Sequence, residues 1–138
     1  MTLNERDRVD VNRYLAMQDV EFWASIDRWL RPKDKNDAMD DALNAMRALF
    51  RPHRWLPYID IMTPRTRHYL LHIRAKLCHD SRWQHLLREL AGTAPADAAM
   101  SIAQRFIDTR PVLGSYRMSF VALAVGIVRI GIAHFTCG

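Results

Sequence analysis

Three histidines, His68, His72 and His79, fall at i, i+4 and i+11 in the stretch PRTRHYLLHIRAKLCH, residues 64–79. On a continuous helix of about 3.6 residues per turn they share one stripe, within about 40° of one another. Imidazoles one turn apart can ligate zinc or another transition metal. Here the stripe holds no carboxylate and no HExxH pattern, and Arg65 and Lys76 flank it with positive charge that repels a cation. The same groups suit an anion, because guanidinium and imidazole N–H groups donate charge-assisted hydrogen bonds. The candidate residues for an anion or a partner are therefore Arg54, Arg65, Arg67, His68, His72 and His79, and no metal or cofactor is expected. The plainer reading of the stripe is a solvated polar edge on an otherwise apolar helix.

Other constellations carry less chemistry. Asp37 and Asp41, with Asp34 and Asp40 beside them, could hold Mg²⁺. Carboxylates in the first turns of a helix, offsetting its dipole, account for them better. Arg47, Arg51, Arg54 and Trp55, then Arg65, Arg67, Arg74, Arg82 and Trp83, interleave guanidinium groups with aromatic rings, a pattern that can clamp a nucleic-acid backbone and stack bases. No GxSxG elbow, Gly-rich phosphate loop or paired metal-ligand motif occurs. Cys78 and His79 are not a nucleophile–base pair, since neighbours on a helix diverge by about 100°. No catalytic residue is assigned, and the chain is not expected to be an enzyme.

The elements that must carry these residues read as helices. Thr2-Leu3-Asn4-Glu5 has the form of a capping box. From about Asp10, Val11, Tyr14, Leu15, Phe22, Ile26 and Trp29 repeat at helical spacing up to about Arg31, where Pro32 breaks the pattern. Met39, Leu43, Met46 and Phe50 predict a second helix that Pro52 stops. Residues 52–64 carry three prolines among apolar residues, which predicts a buried strap. Thr63-Pro64 opens a helix to about His79, and Ser81-Arg82-Trp83-Gln84 reads as a capping box for a short helix ended by Gly92. Pro95 opens another with Ala99, Ile102, Ala103, Phe106 and Ile107 on its stripe, closed by Pro111. The expectation is an all-α fold, a single compact bundle of about six helices in one domain, residues 1–138.

The last segment, SFVALAVGIVRIGIAHFTCG, is the most apolar of the chain. Residues 118–136 approach the length of a membrane span, but Arg129 would sit near mid-bilayer, at a cost of roughly 2.5–3.5 kcal/mol. A strand is disfavoured for want of a turn and a partner. A helix explains more. Ala122, Gly126, Arg129 and Ala133 lie on one face where small residues allow close approach, while the rest of the surface is Phe, Leu, Ile and Val. The segment is therefore expected to be a core helix wrapped by the others. Arg129 must then find a carboxylate or several carbonyls, because an unpaired buried charge is costly.

The balance of charge supplies the partner. The net charge is +5, with residues 1–60 at −1 and residues 61–138 at +6. Arg outnumbers Lys seventeen to three, which favours bidentate contacts to carboxylate or phosphate, although codon bias alone can produce such a ratio. The charged start MTLNERDRVD is not a secretory signal, and Cys78 and Cys137 read as two reduced thiols of a cytoplasmic protein. The functional expectation is a small bacterial protein of inhibitor, immunity or regulatory type that binds another protein with an acidic surface. The alternatives are a nucleic-acid-binding regulator using the basic second half and a membrane-attached protein anchored by residues 118–136, and the apolar tail could also complete a homodimer.

Overall fold

The computed structural model describes residues 2–29, 64–109 and 117–137. Among them lie six α-helices and no strand: α1 (Glu5–Ala16), α2 (Asp19–Trp29), α3 (Pro64–Cys78), α4 (Ser81–Glu89), α5 (Pro95–Thr109) and α6 (Arg117–Ile130), followed by a 3₁₀ turn, Ile132–Phe135. The expected helix around Met39–Phe50, the Pro-rich strap, the Asp34–Asp41 cluster and Arg54 lie outside the described residues.

The fold is the expected all-α bundle, and α6 is its centre. Nine residues of α6 are buried, including every one from Phe120 to Ile127. The helix packs against α1, α2 and α5 and against its own 3₁₀ turn. At α2 the approach is close. A Cβ placed on Gly126 would stand 3.5 Å from Trp23 Cη2 and 4.0 Å from Phe22 Cζ. At Gly126 the helix that approaches the small-residue face is α2, which seats two aromatic rings there. Phe22 in turn meets Tyr14 and Trp23 edge-on, at 6.0 and 4.9 Å between centroids.

Both ends of α6 are fastened to α1. Asp7, fully buried, forms an ion pair with Arg117 at 3.2 Å while its Oδ2 accepts the Asn4 N–H at 2.8 Å. At the other end Arg129 reaches the carbonyls of Tyr14 and Leu15. These two clasps set α1 and α6 running in the same direction.

Several expected boundaries shift for local reasons. The box at the N-terminus belongs to Asn4 and Asp7, not Thr2 and Glu5: Asn4 Oδ1 accepts the N–H groups of Arg6 and Asp7. The continuous stripe from Asp10 to Arg31 is two helices, because Met17 turns extended and ends α1 before α2 begins. The N-cap of α4 is Asp80, whose Oδ1 accepts from Arg82 and Trp83 N–H, not Ser81. Finally, α6 stops at Ile130, short of Ala133, the last residue expected on its small-residue face. Gly131 adopts φ 122°, which side chains with a Cβ rarely tolerate. Among the described residues no helix is long and apolar enough to cross a membrane.

Candidate functional site

A cleft of about 350 Å³ opens where α3, α4, α5 and α6 meet. Its floor is aromatic. Trp83 of α4 and Phe106 of α5 lie 4.5 Å apart between centroids, tilted by 42°, and Phe106 stacks on Phe120 of α6 at 5.8 Å and 12°. These rings keep 6%, 7% and 8% of their surface open, whereas neighbouring Leu87, Ile102 and Ala103 keep none. All three residues belong to the buried core and border the cleft from within. Ile73, Leu77 and Leu123 complete the apolar wall.

The rim is polar and comes from three elements. α3 supplies His72 and Lys76, both exposed; the turn after it supplies Asp80; the last turn of α5 supplies Thr109. The Thr109 hydroxyl donates to Phe106 O at 3.1 Å. Asp80 Oδ1 holds two backbone N–H groups at the start of α4, so its charge is placed against the positive end of that helix. Along α3 the Pro64–Cys78 stretch carries Arg65, Arg67, Arg74 and Lys76 and no carboxylate. At the rim itself the charged groups are Lys76 and Asp80.

Of the residues singled out in the sequence, His72 lines this cleft. His79 is exposed and lies one residue past the end of α3, so the helical stripe ends before it, and it is not part of the cleft lining. Arg65, Arg67 and His68 sit on the first turns of α3; their side chains, like all of Arg54, are outside the described residues. Among the described residues no group of three or more His, Cys, Asp or Glu could hold a metal ion.

The opposite side of the α3–α4 junction grips the C-terminal tail, and this the sequence reading missed. Cys78 and Cys137 are joined by a disulfide, with Cα atoms 5.3 Å apart, where two reduced thiols were expected. They pair because the end of α3 and the tail are brought together by other contacts. Gln84, 5% exposed, donates from Nε2 to the carbonyls of Leu77 and Phe135 at 2.9 and 3.0 Å, and its Oε1 accepts the Cys137 N–H at 2.8 Å. Arg74 Nε donates to His134 O at 2.9 Å, and Arg88 Nη2 to Cys137 O at 3.1 Å. Phe135 is fully buried. Partial burial lowers the pKa of Arg74 by desolvation. The depression acts on a group that titrates far into the alkaline range, so Arg74 remains a cation at neutral pH. Gln84 was read as the far end of a capping box; a buried amide with three main-chain partners looks no different in sequence.

The junction from Leu77 to Gln84 therefore has two faces. Leu77, Asp80 and Trp83 line the cleft, and Cys78 and Gln84 hold the tail. The cleft offers shape and aromatic surface beneath a polar rim, which are features of a binding surface. No protein-family model, curated protein or solved structure matches this chain.

Proposed function

We propose that this protein is a non-catalytic binding protein, of inhibitor, immunity or regulatory type, that captures another protein through an acidic surface. The observation that supports the reading most is the aromatic-floored cleft with Lys76 on its rim, on a helix whose sequence from Pro64 to Cys78 holds basic residues and no Asp or Glu. Opposite charge steers encounter, and a desolvated aromatic pocket supplies the anchoring contact that dominates many interfaces. A cytoplasmic setting is part of the proposal. Disulfides are uncommon there. Gln84, Arg74, Arg88 and buried Phe135 all seat the tail independently of the Cys78–Cys137 bond, which makes the fold compatible with reduced thiols.

The test is capture of a partner from the native host, followed by titration calorimetry with that partner purified. Binding is expected to weaken at least about tenfold in the Arg65→Glu/Arg67→Glu/Lys76→Glu variant, a loss of about 1.4 kcal/mol or more. Unchanged affinity in that variant would sink the reading. So would binding to duplex or single-stranded nucleic acid whose affinity falls steeply with salt, since that is the signature of phosphate contacts.

A further inference from the structure

We infer that Cys78 and Cys137 form a reversible dithiol–disulfide latch on the C-terminal tail, with Gln84 as the residue that positions the two thiols for pairing. The inference needs no partner protein and so stands apart from the binding reading above. Gln84 is 5% exposed, and its one amide touches the main chain beside both cysteines. Nε2 donates at 2.9 Å to the carbonyl of Leu77, in the peptide group that leads into Cys78, and at 3.0 Å to Phe135 O. Oε1 accepts the N–H of Cys137 itself at 2.8 Å. A side chain from α4 thus bridges the end of α3 to the tail, and the two Cα atoms stand 5.3 Å apart, within the range a disulfide spans.

None of these bonds uses a sulfur atom, so reduction leaves them in place. Buried Phe135 and the bonds from Arg74 to His134 O and from Arg88 to Cys137 O hold the same segment. Two thiols kept side by side react with each other as an intramolecular pair, at an effective concentration far above that of free thiols. Both cysteines are half-buried, which leaves the bond open to a small thiol. A dithiol supplies the reducing equivalents. Its thiolate attacks one sulfur of the pair and expels the other as a thiolate, giving a mixed disulfide. Its second thiol then closes a ring and frees the remaining cysteine. Two electrons pass to the protein, two protons end on Cys78 and Cys137, and the reductant leaves as a cyclic disulfide. Oxidised, the tail is tied to α3 and cannot lift away. Reduced, it is held by noncovalent contacts alone and can open locally.

The experiment equilibrates the full chain with mixtures of reduced and oxidised dithiothreitol and counts free thiols by alkylation and mass spectrometry. The chain is expected to pass between the two forms and back with its helices intact by circular dichroism. Gln84→Met, similar in length but without the amide, is expected to shift the equilibrium about tenfold toward the dithiol, because the thiols lose their alignment. Arg88→Ala, a change at an exposed residue, is expected to shift it about threefold in the same direction. In the unsubstituted chain the Cys137 amide is expected to exchange at least about tenfold faster when reduced than when oxidised, with the α5 amides unchanged. A Gln84→Met chain that folds and keeps the original equilibrium overturns the positioning role; should it not fold, an unmoved equilibrium in Arg88→Ala does so. Equal exchange at Cys137 in the two forms overturns the latch, as does a reduced chain that loses its helices or fails to re-form the bond.

Discussion

Arg129 and Asp19, 110 residues apart, are joined by a bond of 2.6 Å from Nη2 to Oδ1. From the same guanidinium, Nη1 donates to Tyr14 O at 3.0 Å and Leu15 O at 3.1 Å, and its carbon lies 4.6 Å above the ring of Phe22. The two carbonyls belong to the last turn of α1, and Tyr14 O also accepts the Met17 N–H at 3.4 Å. Asp19 is in the first turn of α2. One side chain from the central helix therefore closes α1, opens α2 and covers the ring between them.

Replacing Arg129 by Met should destabilise the fold by roughly 2–4 kcal/mol, because the α1 carbonyls and Asp19 lose their partner together. Arg129→Lys should lie between, since an ammonium cannot span three acceptors as a planar fork does. Asp19→Asn should cost less than about 1 kcal/mol, as Asp19 is half exposed. Urea unfolding of the three variants checks the order. A loss for Asp19→Asn equal to that of Arg129→Met would contradict it.

Gly126 offers a change in the opposite direction. A methyl group there would meet the rings of Trp23 and Phe22 at ordinary contact distances of 3.5 to 4.0 Å. Gly126→Ala should thus stabilise by about 0.5–1 kcal/mol, chiefly by restricting the unfolded chain. Gly126→Leu should destabilise by about 1–3 kcal/mol, because the extra atoms overlap Trp23. Thermal unfolding midpoints moving in opposite directions are the expected result.

Gln84→Leu should lose about 2–3 kcal/mol, since two carbonyls and one N–H at the tail are left without their buried partner. Hydrogen exchange gives a sharper readout. The Cys137 amide is expected to exchange fast in the variant while the amides of α5 keep their protection. Retained protection at Cys137 would show that Gln84 does not hold the tail.

Reducing Cys78–Cys137 opens a loop spanning 59 residues of sequence separation. Chain-entropy arguments put the lost stability at about 4 kcal/mol as an upper figure. The Cys78→Ser/Cys137→Ser variant is nevertheless expected to stay helical at 25 °C, with Phe135 still buried, and to unfold at lower temperature than the oxidised chain. Circular dichroism melts with and without a dithiol reductant measure this. Loss of helix on reduction at 25 °C would make the bond a condition of folding and remove the cytoplasmic setting from the proposal.

The architecture was legible wherever a local pattern repeats. Ala99, Ile102, Ala103 and Phe106 on α5, and the apolar circumference of α6, marked helices and their buried faces, because helix burial follows a spacing of three and four in any context. The need of Arg129 for acceptors was legible too, from the cost of burying a charge. The acceptors themselves were not, as two are main-chain carbonyls that no side-chain pattern announces.

What tertiary structure decided is everything that depends on two distant segments meeting. The break between α1 and α2 looks like one stripe in sequence, and is stabilised by a guanidinium more than a hundred residues away. The ladder of Trp83, Phe106 and Phe120 draws one ring from each of three helices, so no spacing encodes it. Cys78 and Cys137 pair because Gln84 and Phe135 bring the tail to α3, a proximity that cysteine counting cannot reveal. Periodicity reports which face of a helix turns inward; only packing determines which other face it meets there, since hydrophobic burial is blind to partner while hydrogen bonds, ion pairs and disulfides need particular atoms in contact.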